Sequence, residues 1–386
     1  MHPTECQRLG HTMLTRRLPW ILLVSGAVMA QAPASPQQDV PSQPPAAQAP
    51  APLTPEAAPQ APVGTGTLAR SQAAPSSLPQ RGILSRIAMI DIPGQPGFQA
   101  VALFDGKLLI SHTANDSVDV FDIAKRRVIA QVKDMKGASG LVVDAASGKA
   151  YVANADANEI AVLSTKDWSV RQRIPLKAAP RSLLLVPELG TLYSANWHQR
   201  SLSAVDLKQG TSRTVAIDGS PGHLAFDPEQ KRLYATLEDV RQVAVLSPEL
   251  QVVKRYPIQG SQPTGILFDP TNRRLYVAVR YAVVSLDPDS GREVGRSAAP
   301  AGVDTLKLDG NRLYAAASGG VVLIYRVTGS GLVAEHEVTS DVKGHTLAYD
   351  AERGMILLPG GREGRSKLLL LRYNSGEQAP AVASRQ

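Results

Sequence analysis

The sequence predicts an all-β fold, a seven-bladed β-propeller, and three observations carry this prediction. Short alternating apolar runs after Gly82 are separated by Asp-Pro, Asp-Gly and Ser-Gly turns, a pattern typical of strands joined by hairpins. A Leu-Tyr or Ala-Tyr step followed by small residues recurs about every 40 residues, the length of one propeller blade. The two ends of the repeat region also hold complementary parts of one unit. The seven units are marked by Leu109, Tyr151, Tyr193, Tyr234, Tyr276, Tyr314 and Ile356.

The unit around Tyr276 shows how we expect a blade to be divided. Residues 265–268 form the inner strand, 274–278 the second, 282–287 the third and 293–297 the fourth, with turn residues between them. Side chains alternate between the two faces of a strand, and neighbouring blades cover both faces of a blade. The repeated Tyr is therefore predicted to fill the space between blades rather than to bind a ligand.

The ends of the repeat region predict how the ring closes. Residues 85–97 resemble the end of one blade followed by the link to the next, as residues 254–265 do. The seventh unit stops after its third strand, at residues 367–373. We therefore expect an N-terminal strand to complete the last blade, which leaves no open first or last unit.

The first 32 residues have the features of a signal peptide. Arg16 and Arg17 precede an apolar run over residues 18–30, and Ala-Gln-Ala follows as a small-x-small cleavage site. The run is shorter than the ~20 residues of a membrane-spanning helix. We expect residues 1–32 to be removed, with Met13 as an alternative start, and the mature protein to be extracytoplasmic, either periplasmic or secreted. An uncleaved anchor is the other interpretation.

Composition divides the rest of the chain. Residues 33–81 are almost all Pro, Ala, Gln and Ser and predict a disordered linker, residues 82–378 form the propeller, and residues 379–386 form a disordered tail. The single cysteine, Cys6, precedes the cleavage site, so the mature chain has no thiol for a disulfide or a metal site. Cleavage lowers the formal charge from +7 to +5, spread along the chain, so we expect no nucleic-acid partner. We expect a monomer without a transmembrane helix.

Two Tyr-x-Ala-Asn segments, residues 151–154 and 193–196, and the runs of Phe-Asp-Pro followed by Arg-Leu-Tyr resemble the YVTN-type β-propeller repeat family. The resemblance spans residues 82–378 and departs from the motif in the first and seventh units. It implies an exported bacterial seven-bladed propeller. Members and related propellers include binding modules, lactonases and haem-carrying domains, so the resemblance implies location and shape more than activity.

Motifs of common enzyme classes are absent from the sequence. It contains no Cys-x-x-Cys-His, no Gly-x-Ser-x-Gly, no His-Glu-x-x-His and no Gly-x-x-x-x-Gly-Lys. No cofactor is therefore predicted. Two His near a carboxylate could bind a divalent metal, but such a site needs three or four converging ligands.

Positions around the channel mouth supply the candidate binding residues. In a propeller, the loops before the inner strands and those between second and third strands gather on one face, where polar residues are not needed for blade packing. The starts of the inner strands contribute Arg181, His223, Asp304 and His345. The second-to-third-strand loops contribute His112, Trp197 and His198. The alternative is that these groups close hydrogen bonds at strand starts, pair across the channel or cover a blade edge.

Two functions remain open at this point. The leading hypothesis is an exported binding or scaffold module that recognises a small ligand, a glycan or an envelope protein on the mouth face. The alternative is a lactonase-like hydrolase in which His, Asp and Arg side chains at the mouth activate water or stabilise an oxyanion. Binding of single-stranded nucleic acid is disfavoured, since aromatic residues make up only 5% of the chain.

Overall fold

The computed structural model describes residues 83–374, which form seven four-stranded sheets. The inner strand of each blade packs beside that of the next, and the inner strand of the seventh packs beside that of the first. The blades therefore form a ring around a channel, and the predicted all-β, seven-bladed propeller is confirmed. The predicted signal peptide (1–32), linker (33–81) and tail (379–386) lie outside the described residues.

The strands follow one another blade by blade along the chain. Strand β1 spans Ile83–Asp91. Blade 1 contains β2 (Phe98–Phe104), β3 (Lys107–His112), β4 (Ser117–Asp122) and β5 (Arg127–Val132), and blade 2 contains β6 (Ala138–Asp144), β7 (Lys149–Asn154), β8 (Glu159–Ser164) and β9 (Val170–Pro175). Blade 3 contains β10 (Ser182–Val186), β11 (Thr191–Asn196), β12 (Ser201–Asp206) and β13 (Thr211–Ala216), and blade 4 contains β14 (Pro221–Asp227), β15 (Arg232–Leu237), β16 (Gln242–Leu246) and β17 (Val252–Pro257).

The remaining three blades have the same order. Blade 5 contains β18 (Ile266–Asp269), β19 (Arg274–Val279), β20 (Ala282–Leu286) and β21 (Glu293–Ala298). Blade 6 contains β22 (Val303–Asp309), β23 (Arg312–Ala317), β24 (Val321–Thr328) and β25 (Gly331–Thr339), and blade 7 contains β26 (Ala348–Asp350), β27 (Met355–Arg362) and β28 (Arg365–Asn374). Three single-turn 3-10 helices are also present, at Thr113–Asn115, Ala155–Ala157 and Pro187–Leu189. Within residues 83–374, no helix is long and apolar enough to cross a membrane.

The seventh blade takes its outer strand from the start of the described chain. Strand β1 pairs antiparallel with β28, so that Leu84 lies opposite Tyr373 and Asp91 lies opposite Lys367. The strand order of this sheet is β1, β28, β27 and β26. Residues nearly 300 positions apart in sequence thus share one sheet, which holds the first and last blades together.

The repeated Tyr side chains pack between blades, as their pattern predicts. Tyr193, Tyr234, Tyr276 and Tyr314 are all buried, and each lies in a hydrophobic cluster. The hydroxyl of Tyr193 donates to the carbonyl of Pro248 in blade 4, at 2.9 Å. The hydroxyl of Tyr234 makes the equivalent contact, 3.3 Å from the Pro288 carbonyl oxygen in blade 5. One residue type therefore supplies both apolar packing and a polar link to the next blade.

Close approach of neighbouring inner strands requires glycine at the channel. A Cβ added at Gly265 would overlap the backbone carbonyl oxygen of Asp304 in the next blade. We expect Gly265→Ala to lower the free energy of unfolding by about 1–3 kcal/mol, because two backbones would have to separate. Gly319→Ala is the matched control, since a Cβ there meets no atom within 4 Å. Urea unfolding measures both, and equal stability of the two variants would contradict this packing.

Candidate functional site

The loops between second and third strands meet the segments that lead into the inner strands, and together they form one face of the ring. The backbone N–H of Glu238 donates to Ser220 in blade 4, and that of Arg280 donates to Ser261 in blade 5. Similar backbone bonds occur in blades 1, 2 and 6. This face is the mouth of the channel, and it is where the sequence predicts binding residues.

Side-chain hydroxyls tie successive blades together at the channel. Each donates to a backbone carbonyl of the next blade, over 2.7 to 3.1 Å, and the donor and acceptor pairs are Ser139 and Pro180, Ser182 and Gly222, and Thr264 and Val303. The accepting carbonyls immediately precede Arg181, His223 and Asp304. The backbone at three candidate residues is thus anchored to the preceding blade, which fixes where their side chains begin.

A cavity of about 150 Å³ occupies the channel. Its wall is mostly polar and includes Arg181, Ser182, His223, Glu238, Asp304, Thr305, Lys307 and Thr346. A cavity of about this volume can hold a molecule the size of benzene. The channel can therefore take a small organic ligand.

Asp304 lies between two histidines in this channel. Its Oδ2 is 3.1 Å from His345 Nδ1, and its Oδ1 is 3.9 Å from His223 Nε2. The register of the β22–β23 pair shifts between Val303 and Thr305, so Asp304 is the extra residue of a β-bulge. Bulges turn a side chain out of the regular alternation of a strand. The bulge accounts for how a residue of blade 6 comes to lie between histidines of blades 4 and 7.

The two histidines have opposite pKa shifts. Burial in the channel lowers the pKa of His223, and the Asp304 carboxylate only partly offsets this effect. The Asp304 contact raises the pKa of His345, although burial acts against it. For Asp304 itself, burial would raise the pKa, but the His345 contact and the nearby positive charges outweigh burial and lower the pKa to about 2. Near neutral pH the carboxylate is charged, His223 favours its neutral form and His345 is the more readily protonated ring.

Arg181, Trp197 and Glu238 form a second group on the cavity wall and rim. The Arg181 guanidinium carbon lies 5.7 Å from the centre of the Trp197 ring, within cation–π range. The Trp197 indole N–H is buried close to the Glu238 carboxyl without a well-aligned hydrogen bond. Burial raises the pKa of Glu238, and Trp197 and Arg181 act against that rise. His198 lies on the exposed surface, with its ring 4.9 Å from that of Trp197.

The structure does not bring His112 together with the Asp304 group. His112 is fully buried in blade 1, where its Nδ1 lies 2.6 Å from Asp119 Oδ2 and its Nε2 lies 2.6 Å from the backbone oxygen of Gln95. Period-two alternation places it on the same face of β3 as Leu108 and Ile110, which pack in the cluster shared with blade 7. Its position is that of a hydrogen-bonded core histidine.

Sequence reasoning missed Lys307 and Glu238, which both line the cavity. Lys307 follows Thr305 by two positions on β22, so the two side chains share the channel face. Extending the alternation one step beyond the strand start would have found it. Glu238 begins the β15–β16 loop, one of the second-to-third-strand loops that the same reasoning places at the mouth.

A wider groove lies beside the channel, between blades 7 and 1. Its volume is about 630 Å³, and its lining includes Phe98, Gln99, His345 and Arg362. Gln99 borders both the groove and the channel cavity. His345 lines the groove while Asp304 lines the cavity, so their contact stands at the boundary between the two spaces.

Within residues 83–374, no three His, Cys, Asp or Glu side chains are grouped so as to hold a metal ion. The two rings that flank Asp304 are instead engaged with its carboxylate.

Solved structures of other proteins have a fold similar to that of this chain. The sequence matches no protein-family model and no curated protein. The fold is similar to that of virginiamycin B lyase from Staphylococcus aureus, with a TM-score of 0.62 and 13% identity over 75% of this chain and 99% of that one. It is also similar to Kuenenia stuttgartiensis hydrazine synthase, with a TM-score of 0.62 and 16% identity over 72% of this chain and 96% of that one. A streptogramin B lyase structure gives a TM-score of 0.61 and 14% identity over 76% of this chain and 98% of that one.

Proposed function

We propose that this protein is an exported propeller of the YVTN type that binds a small polar molecule in its channel. The observation that carries the proposal is the meeting of three side chains from three blades: His223 and Asp304 line the channel cavity, and His345 contacts Asp304 from the adjoining groove. Propeller packing does not require a carboxylate and two imidazoles at this place. Concave spaces with a few converging polar groups and perturbed pKa values are where proteins bind small molecules.

The size of the channel cavity favours a small ligand over a macromolecule as its direct occupant. The cavity holds about 150 Å³, whereas the groove beside it holds about 630 Å³ and reaches His345. A glycan or an envelope protein would contact the mouth through that groove and the loops around it. The small-ligand form of the binding hypothesis is therefore the one we put forward.

A second candidate function is acid–base cleavage of an ester or lactone. His223, neutral near pH 7, would take a proton from the attacking water, and protonated His345 would donate one to the leaving oxygen. A general base and a general acid that act together need opposite pKa shifts, and His223 and His345 have such shifts. The similar folds include lyases, and one of them, virginiamycin B lyase with quinupristin, was studied as a catalytically inactive His-to-Ala variant. The lactonase-like alternative rests on these two observations.

Native mass spectrometry tests the binding proposal. The full chain is exported with its own leader, purified without chelator, and compared with the His223→Ala/His345→Ala double variant and with His336→Ala, a histidine of the outer strand β25. We expect a bound small molecule on the wild type and on His336→Ala, and its loss from the double variant. The intact mass also shows whether cleavage follows Ala32. A wild type that carries no ligand and binds none from a metabolite extract would contradict the proposal.

Turnover of a panel of esters and lactones tests the second candidate. If the channel histidines act as acid and base, His223→Ala lowers kcat/KM by about 100-fold or more, while His336→Ala leaves it unchanged. Absence of turnover by a wild type that does bind a small molecule would leave binding as the function and exclude the hydrolase.

A further inference from the structure

Lys307 is a basic side chain in the channel that has no counter-ion among residues 83–374. Its side chain lines the cavity, and it makes no ion pair or side-chain hydrogen bond with any of residues 83–374. The Arg181 guanidinium lines the same cavity and likewise forms no salt bridge within the described part of the chain. Both cations disfavour protonation of His223, so both lie within electrostatic reach of that ring. The channel is thus lined by two basic side chains that form no salt bridge with an acid among residues 83–374.

The other charged groups at the channel do not supply the missing partner. The Asp304 carboxylate lies within ion-pair distance of His345, without a well-aligned hydrogen bond, and 3.9 Å from His223 Nε2. Glu238 lies by Trp197 and forms no salt bridge with Lys307 or Arg181, although Arg181 is near enough to act against the rise that burial causes in the Glu238 pKa. A cation withdrawn from water is normally paired, because removing an unpaired charge from water costs several kcal/mol. This cost applies to Lys307, which is partly buried, whereas Arg181 is exposed at the edge of the cavity. Burial accordingly lowers the pKa of Lys307, with no opposing contribution from a carboxylate.

We infer that Lys307 and Arg181 form the anion-binding part of the channel site and that its ligand is a small carboxylate of about the size of benzoate. This inference rests on the proposed function, since it names the class of ligand that the same cavity takes. One carboxylate supplies the negative charge that the two cations lack. The planar guanidinium of Arg181 can donate two parallel hydrogen bonds to it, and the Lys307 ammonium can act as a point charge. Asp304 and His223 line the same cavity and border the rest of the ligand.

Binding of such an anion is coupled to protonation of Lys307. Without the ligand, burial lowers the pKa of Lys307, and a carboxylate beside the amine raises it. At a pH between the Lys307 pKa of the free protein and that of the complex, ligand binding is therefore accompanied by the uptake of a proton. The affinity for a carboxylate therefore decreases as the pH rises through this range. The affinity for an uncharged analogue does not depend on the protonation of Lys307.

Isothermal titration calorimetry of the full exported chain tests the inference. The probes are benzoate and its uncharged analogue benzamide, each in two buffers of different ionisation enthalpy, from about pH 6 to 10. We expect benzoate to bind at least 10-fold more tightly than benzamide and to take up a proton at the alkaline end. Lys307→Met should weaken benzoate binding by about 10- to 100-fold and abolish the proton uptake. Lys149→Met, the same change at an exposed position on β7, should alter neither.

The possible results separate this inference from the proposed function. If benzamide binds as tightly as benzoate, or if Lys307→Met keeps both affinity and proton uptake, the carboxylate assignment is wrong while the channel remains a binding site. If neither probe binds and the native protein also carries and captures no small molecule, both proposals fail.

Discussion

Replacement of Tyr276 by Ala is expected to lower the free energy of unfolding by about 3–5 kcal/mol, the usual cost of removing a large buried aromatic side chain. Tyr276 is fully buried, and it packs with residues of blade 6 such as Leu306 and Leu313. The truncation leaves a cavity between two blades that rigid sheets cannot close. Its hydroxyl, 3.4 Å from Asp269, makes only a weak further contribution.

The same blade offers a matched control. Tyr281 lies in the β19–β20 turn and is 61% exposed, so Tyr281→Ala removes the same atoms with little loss of packing. We expect its free energy of unfolding to change by less than about 0.5 kcal/mol. Urea unfolding followed by circular dichroism measures both variants. If the two cost the same, the repeated Tyr would not be the element that holds the blades together.

Asp304→Asn is expected to destabilise the protein by about 2 kcal/mol, because the carboxylate pKa is lowered from 3.8 to about 2 in the folded state. The substitution keeps the size of the side chain and removes the charge that holds His345. Asp309→Asn, at the exposed end of the same strand, is the control. The Asp304 variant should also lose the ligand that the wild type binds, whereas the Asp309 variant should keep it.

The stability difference between wild type and Asp304→Asn is expected to depend on pH. A lowered Asp304 pKa contributes stability that is present above about pH 4 and is lost as the pH falls towards 2. A raised His345 pKa contributes stability that is present below 6.5 and is lost as the pH rises through the folded value. The difference between wild type and Asp304→Asn should therefore be largest between about pH 4 and 6.5. A difference that is constant from pH 3 to 9, measured at about one-unit intervals, would exclude the ion pair.

The fold could be predicted because its determinants repeat. Tyr193, Tyr234 and Tyr276 recur in register, and the alternation of side chains around each one defines two faces that only neighbouring blades can cover. Residues 85–97 indicated the pairing of β1 with β28 in the same way, because a fragment of one unit lacks a partner of its own. Each blade repeats the same short packing pattern, so this pattern can be recognised from short stretches of sequence.

The site could be predicted only in part, because its members do not repeat. Alignment of the inner strands placed His223, Asp304 and His345 at the mouth, but the distances between residues from three blades depend on the curvature of the ring. The bulge at Asp304 has no clear sequence pattern, and it is what places this side chain beside His345. The position of His112 next to a second-to-third-strand loop predicts a place at the mouth, whereas the alternation along β3 carries this side chain into the core.

The charge state of the channel depends on burial, which sequence does not show. The sequence around Lys307 indicates an ordinary strand lysine, whereas the structure places its side chain in the channel with no ion-pair partner among residues 83–374. The same holds for Glu238, whose pKa is raised chiefly by burial and further by the nearby Asp304 and Asp239 carboxylates. The pKa shifts of these channel side chains arise only when the blades are assembled into the ring.

The most direct test of the account is a pH titration of the channel histidines by carbon–proton NMR correlation spectra, with signals assigned by His223→Ala and His345→Ala. We expect the pKa of His345 to lie above the ordinary value of 6.5 and that of His223 below it, and we expect Asp304→Asn to lower the His345 pKa. We further expect benzoate to shift both sets of signals. Two rings that titrate together near 6.5, unmoved by Asp304→Asn and by benzoate, would contradict a channel site built on Asp304.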